Sequence, residues 1–244
     1  MFPYRDENPT LTTPVVTYLL IGANLLIWLA VQGMGQSPLL EASVCDYGVI
    51  PGRLFGYISP GTIVSLGPDV ACRVGAFPAW ATVVSSMFMH GGWLHLIGNM
   101  WFLWVFGNNV EDSTGRLRYL LFYLLCGTAA ALAQSFASSH SAVPMVGASG
   151  AISGVMGAYI LLYPRVRVHM LIFLGIFITR VAVPAYFMLG YWFLLQLMGG
   201  LVGIKEEGGV AFIAHAGGFL AGMLLIFLFR NRELVQRRAA HQLP

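Results

Sequence analysis

Charge is scarce in this sequence. Asp, Glu, Lys and Arg make up 9% of the 244 residues while 57% are hydrophobic, against roughly 25% and 45–50% in an ordinary soluble domain. Such a composition argues against a water-soluble globule. The basic excess is small too, a net charge of +3, so there is no reserve of cations for a phosphate-binding surface and nucleic acid is not a predicted partner. Three cysteines do not make a disulfide-packed secreted module. A mean hydropathy of +0.74, with glycine and aromatics spread along the chain, excludes a disordered tail or a coiled coil. What is left is an all-α polytopic membrane protein, with room for six or seven spans at about 20 residues per crossing.

Charge-poor runs lie at Pro14 to Met34, Gly91 to Val110, Leu117 to Ala137, Ser149 to Tyr163, Pro184 to Leu201 and Val210 to Phe229, six candidate helices. A seventh apolar stretch, Met170 to Thr179, sits between Arg167 and Arg180 and is too short to cross alone. The first run is kept as a span because Arg5 is followed by Asp6 and Glu7 and no small-residue cleavage site follows it. With six spans, ten of the 13 Lys and Arg fall on one side: Arg5, Arg116, Arg118, Arg165, Arg167, Arg180, Arg230, Arg232, Arg237 and Arg238. Only Arg53, Arg73 and Lys205 fall on the other. The excess of basic residues predicts that both termini are cytoplasmic. A seventh crossing would put the basic C-terminus outside.

The domain layout expected is an N-terminal tail 1–13, a six-helix unit 14–230 and a basic tail 231–244. A long outer loop, 35–86, separates the first two spans, with Pro38, Pro51, Pro60, Pro68 and Pro78 along it. It holds Cys45 and Cys72, which an oxidising exterior would allow to pair; two unpaired thiols is the plainer expectation from sequence.

Polar side chains within apolar runs are functional candidates by default, although many only bond a neighbouring helix. His95 and Asn99 are four apart on one face of the second span, Ser149 opens the fourth, and His215 lies near the start of the sixth. Spans two, four and six enter from the same side, so all four residues can share one depth. The fourth span, at 15 residues and 1.5 Å per residue, reaches only about 22 Å, short of a hydrocarbon core of about 30 Å. Ser149 should therefore start below the outer surface, with the loop 138–146 dipping inward where protein or a wet cavity covers it. Gly150, Gly154 and Gly157 or Ala158 on the fourth span, with Ala214, Gly218 and Gly222 on the sixth, would let the two backbones approach.

A serine hydroxyl becomes nucleophilic when a neutral imidazole takes its proton, and the oxyanion that follows needs fixed donors. Ser149 with His215, and His95 and Asn99 as donors beside the helix N-terminus, have the required types. No Asp or Glu lies inside any span, so the pair would be a dyad without a carboxylate orienter. Each residue also has a plain structural reading: Ser149 as a helix cap, His215 and Asn99 as interhelical bonders, His95 bonded to a loop carbonyl, His90 ordering the loop, Glu111 paired with Arg116 or Arg118, and His140, His169 and His241 solvated.

The chain resembles the rhomboid family of intramembrane serine proteases. The resemblance rests on HGGWLHLIGNM at His90 to Met100, GNNVEDSTG at Gly107 to Gly115, GASG at Gly147 to Gly150 and AHAGGFLAG at Ala214 to Gly222, in order on the expected spans. It implies a six-helix rhomboid-like bundle, Ser149 as nucleophile, His215 as base, and His95 and Asn99 assisting at the oxyanion. It implies cleavage of single-span membrane proteins in the lipid bilayer without metal or cofactor, and substrate entry near the second and fifth helices, where Tyr191, Trp192 and Phe193 are candidate wall residues. Ser153 departs from the pattern: it stands one turn after Ser149, where some members carry an aromatic ring that packs on the histidine. Two other readings are a catalytically silent relative that binds membrane helices and a small proton-coupled transporter using His95 and His215. The short ends and lack of a presequence suggest a prokaryotic inner membrane.

Overall fold

The computed structural model describes residues 2–67, 70–174, 177–201 and 211–241. Lys205 and Val210 lie outside the described residues, as do residues 175–176 of the seventh apolar stretch. In chain order the elements are β1 (Phe2–Asp6), α1 (Val15–Ala30), α2 (Leu39–Tyr47), α3 (Pro51–Leu54), β2 (Ile63–Gly67), β3 (Val70–Arg73), α4 (Ala79–Ser85), α5 (Trp93–Thr114), α6 (Arg116–Ala137), α7 (Ser149–Leu162), β4 (Arg167–Leu174), β5 (Phe177–Pro184), α8 (Ala185–Leu201), α9 (Phe212–Phe229) and α10 (Arg232–His241).

Each of the six apolar runs contains one long helix: α1, α5, α6, α7, α8 and α9. By length and composition alone α6 and α9 could cross a membrane, while α1, α7 and α8 are shorter apolar helices. α7 is the axis of the bundle. Every residue from Ala151 to Tyr159 is buried, and α5, α6, α8 and α9 all pack against it. Its tightest seam is with α9, because glycines bring the two main chains together: a methyl group on Gly218 would strike the Gly150 carbonyl, and one on Gly222 would strike that of Gly154.

The all-α expectation is corrected to a predominantly helical fold with two small antiparallel sheets, β1-β4-β5 and β2-β3. The stretch expected as ten apolar residues between arginines contributes half of the strand residues of the β4–β5 pair, which is in register from Arg167 opposite Pro184 to Leu174 opposite Phe177. Buried Val168 and Met170 alternate with the exposed Arg167 and half-buried His169, the two-residue period of a strand. The hairpin returns to the face it left, with the Ala185 amide donating to the Val166 carbonyl at 2.8 Å. β1, in the expected N-terminal tail, runs antiparallel to β4.

Carboxylates at the end of α5 pin the chain that enters α1. Pro14, at the N-cap, has no side-chain acceptor, so the first amides of the helix need one from elsewhere. Glu111 supplies it, accepting from the Val16 and Thr17 amides at 2.9 and 2.8 Å and from the Thr17 hydroxyl. Asp112 accepts from the Leu11 amide at 2.7 Å and from Thr12. The expected Glu111 pairing with Arg116 or Arg118 is thus replaced by helix capping, which offers a buried carboxylate three donors where an exposed arginine would offer one screened charge. His169 is corrected likewise: it pairs with Glu7 at 2.8 Å across the β1–β4 ladder. The start of α1, the α5–α6 turn, the β-hairpin and the Arg230–Arg232 region therefore gather at one end of the bundle, where the Asn231 amide also donates to the Ser113 carbonyl.

At the opposite end the segment between α1 and α5 folds over the bundle. A disulfide joins Cys45 of α2 to Cys72 of β3, so the expectation of two free thiols is overturned. Ile50, Val64 and Val74 form a small core there. Val49 bridges Met145, and the Gly52 amide donates to the Ser141 carbonyl at 2.9 Å. These contacts tie the loop 138–146 leading to α7 to that segment, while His140 and Val143 of the loop stay exposed.

Candidate active site

Ser149 is the first residue of α7, reached through Gly147 and Ala148. Gly147 has φ +126°, a conformation that side chains rarely adopt, and a Cβ there would lie 2.7 Å from His95 Nε2 and 3.5 Å from Asn99 Nδ2. Glycine lets the chain pass against the α5 side chains and deliver Ser149 beside them. The Gly147 amide is tied to the Ser86 carbonyl at 2.9 Å. Ser153, fully buried, turns its hydroxyl back to the Ser149 carbonyl at 2.6 Å.

His215 comes from the first turn of α9 and meets the serine: Nε2 is 2.7 Å from Ser149 Oγ. The backbone contact of α7 with α9 explains how two helices 66 residues apart in sequence place a hydroxyl and an imidazole in direct hydrogen-bond contact. Nδ1 of the same ring is 2.9 Å from Gln196 Oε1 of α8, and the Trp192 ring, one turn earlier on α8, lies over it with centroids 5.9 Å apart.

His95 and Asn99 stand on the other side of Gly147. The Gly91 amide donates to His95 Nδ1 at 3.3 Å, which makes that nitrogen the acceptor and leaves the proton of the neutral ring on Nε2, the atom beside Gly147. Asn99 is buried, and its Nδ2 has no hydrogen-bond partner among the described residues. Two N–H donors thus point at the backbone that leads into Ser149. His90 lies behind them, before α5 begins. Its ring packs edge-on against His95 at 5.2 Å, while its amide donates to Gln32 Oε1 and its carbonyl accepts from Gln32 Nε2, each at 2.8 Å. Burial, with His95 adding to it, pushes the His90 imidazole down to about 3, so the ring is neutral at physiological pH, and it is the His90 main chain that is tied to Gln32.

The structure thus brings together the four residues singled out in the sequence, and adds two. Gln196 was missed, although an amide in the middle of an apolar run is the same signal that marked Asn99. Trp192 was taken as a wall residue, whereas it packs on His215; Tyr191 is exposed. Among the described residues no group of three His, Cys, Asp or Glu is placed to hold a metal ion.

The family model of the Rhomboid domain matches residues 78–232, which include Ser149, His215, His95 and Asn99. The chain belongs to the rhomboid family. Rhomboid proteins are integral to membranes and generally act as intramembrane proteases, though some relatives are inactive. The rhomboid described here is 35% identical over 156 residues to "Rhomboid-like protein 11, chloroplastic" of Arabidopsis thaliana, covering 62% of this chain and 53% of that protein. It is 29% identical over 225 residues to "Rhomboid protease GluP" of Bacillus subtilis, covering 88% and 39%. It is 27% identical over 150 residues to "Rhomboid protein 1, mitochondrial" of Saccharomyces cerevisiae, covering 59% and 40%. The chain therefore spans about half or less of these relatives' lengths. With chloroplast and mitochondrial proteins beside a bacterial one, the comparison does not support the expected prokaryotic plasma membrane as this rhomboid's location.

Proposed function

We propose that this rhomboid is an intramembrane serine endopeptidase that hydrolyses peptide bonds in or near the transmembrane segments of single-span membrane proteins. The observation that carries the reading is the 2.7 Å contact between Ser149 Oγ and His215 Nε2. Ser149 Oγ attacks the scissile carbonyl while His215 Nε2 takes its proton. The His95 Nε2–H, the Asn99 amide and the first free amides of α7 receive the oxyanion. As the tetrahedral intermediate collapses, His215 returns the proton to the leaving amine and an acyl-serine forms. A water molecule then attacks the ester, giving a proton to His215, and as the second tetrahedral intermediate collapses His215 returns that proton to Ser149 Oγ, freeing the serine and the product acid, which ionises to the new carboxylate. No step needs a metal or an organic cofactor.

The protease unit is residues 14–230, flanked by the segments 1–13 and 231–244, with the segment 35–86 on the outer side. Six crossings, by α1, α5, α6, α7, α8 and α9, put the cation-rich end in the cytoplasm, and the disulfide Cys45–Cys72 at the other end suits an oxidising exterior. Exposed leucines on the rim of the bundle, among them Leu19, Leu26 and Leu94, suit contact with lipid. A substrate must offer an unwound strand, so helix-weakening Gly or Pro near its outer end favours cleavage.

The test is a cleavage assay of the purified protein in liposomes against a panel of single-span proteins, beside labelling with a fluorophosphonate. Wild type is expected to cut and to label. Ser149→Ala is expected to do neither, and His215→Ala to lose cleavage while remaining folded. Cleavage at the wild-type rate by Ser149→Ala would refute the assignment. Proton flux without any cleavage would favour a transporter.

A further inference from the structure

The hydroxyl–imidazole pair raises a chemical question that the pair itself does not answer. A neutral imidazole has two tautomers, and only the one with its proton on Nδ1 offers Nε2 as an acceptor for the serine proton. In many hydrolytic sites an acidic side chain fixes that choice. No Asp or Glu occurs in any of the apolar runs here, and an ionised carboxylate there would carry a heavy desolvation penalty.

We propose that Gln196 is the positioning residue for His215. This rests on the protease reading above. Its Oε1 lies 2.9 Å from His215 Nδ1, and an amide oxygen accepts only. The proton is thereby held on Nδ1 and the lone pair of Nε2 faces Ser149 Oγ, 2.7 Å away. When Nε2 takes the serine proton, the positive charge spreads to Nδ1–H, and the Gln196 carbonyl dipole is already directed at it. An amide does this with no charge of its own to desolvate in the resting state, a solution suited to an apolar helix.

The remaining freedom of the ring is rotation about its own bond to the helix. Trp192, four residues before Gln196 and so on the same face of α8, packs across the ring. It also meets Phe219, one turn beyond His215 on α9, and Phe193 stacks on Phe219 at 4.6 Å. One face of α8 therefore grips α9 by rings and aims an amide from the same surface. Position 153 contributes no ring to this packing: Ser153 is buried and turns its hydroxyl to the Ser149 carbonyl. Among the described residues, the other imidazole near this pair is His95 of α5, whose Nε2 lies against Gly147, two residues before Ser149. α6 and α7 bring Gln134 and Ser149 to this end of α9, neither of which titrates near neutrality.

The experiment uses the full chain in liposomes with a single-span substrate, comparing Gln196→Met, which keeps the volume and loses the acceptor, with Gln196→Glu, which keeps the acceptor and adds charge. Size-exclusion profile and melting temperature confirm folding. Gln196→Met is expected to lower kcat by about ten- to a hundredfold with KM unchanged, in line with the loss of a hydrogen bond that sets a tautomer. Gln196→Glu is expected to keep most of kcat and to move the acidic limb of kcat/KM to higher pH, because a neighbouring carboxylate favours the protonated ring. In protein carrying 15N-histidine, the His215 ring is expected to report the Nδ1–H form in wild type and a mixture in Gln196→Met. A Gln196→Met enzyme with wild-type kcat and unchanged ring shifts would overturn the proposal, as would equal losses in both variants without movement of the pH profile. Failure of the protease reading is distinguishable from either: it shows in the wild type, as absence of Ser149-dependent cleavage, whereas the ring shifts report on Gln196 whether or not the protein cuts.

Discussion

Asn99 has a buried amide nitrogen with no acceptor among the described residues, set against the backbone at Gly147. A resting protein gains nothing from an orphaned donor, which costs about 1–3 kcal/mol when buried. An oxyanion formed at the carbonyl attacked by Ser149 would give it a partner only as the reaction proceeds, and that is how a donor lowers a barrier without tightening substrate binding. Asn99→Ala is therefore expected to reduce kcat by about 10²–10³ with KM little changed, measured on the same liposomes, and its labelling by a fluorophosphonate should slow in parallel. Gly147→Ala should do more harm than its size suggests, because a methyl at φ +126° meets the His95 ring; a folded but inactive protein is the expected result, read by melting temperature and cleavage together. The candidate site was legible in the sequence to the extent that its polar side chains interrupt apolar runs on helices of one parity. Ser149, His215, His95 and Asn99 all carry that signal. Gln196 carries only half of it, an amide inside an apolar run but on the fifth run, of the other parity; its partner is a ring nitrogen 19 residues away in sequence, and nothing in one sequence tells which amide faces which imidazole.

Elements were read well where a helical length of apolar residues was bounded by charge or proline, and badly where a segment depends on a distant partner. Met170 to Thr179 was seen as a short apolar piece between arginines, because an eight-residue strand has no helical period to betray it and β4 takes its identity partly from β1, over 160 positions earlier. Glu111 was assigned to nearby arginines for the same reason: proximity in sequence was the only guide, and its donors are 94 and 95 residues away. Its capping role makes a measurable claim. Glu111→Ala leaves the Val16 and Thr17 amides and the Thr17 hydroxyl without their acceptor, so unfolding in detergent should lose about 2 kcal/mol or more, with Glu111→Gln intermediate because its amide oxygen still accepts. A Glu111→Ala protein as stable as wild type would show that water replaces the carboxylate.

Across the whole molecule, the two ends of the bundle differ in what holds them. One end is joined by carboxylates, a three-stranded sheet and the α5–α6 turn; the other by a disulfide, a β-bridge and a small core over the loop that precedes Ser149. The chain has three cysteines, of which Cys126 is free and buried in α6. Mass-tagging with a maleimide polymer in denaturant should therefore add one tag before reduction and three after it. Three tags without reductant would remove the bridge from this description, and with it one support for placing that end on an oxidising side.

Main chain touches main chain where α7 meets α9, carbonyl against glycine, with no side chain between to bend or change rotamer. The distance from alcohol to imidazole is thus gauged by the thickness of a peptide backbone, a length that neither lipid species nor temperature alters. If a thinner or thicker bilayer tilts the bundle, these two helices tilt as a single rod and the two side chains keep their spacing, so that, for the protease proposed above, sensitivity to the surrounding lipid would fall on substrate entry rather than on bond cleavage.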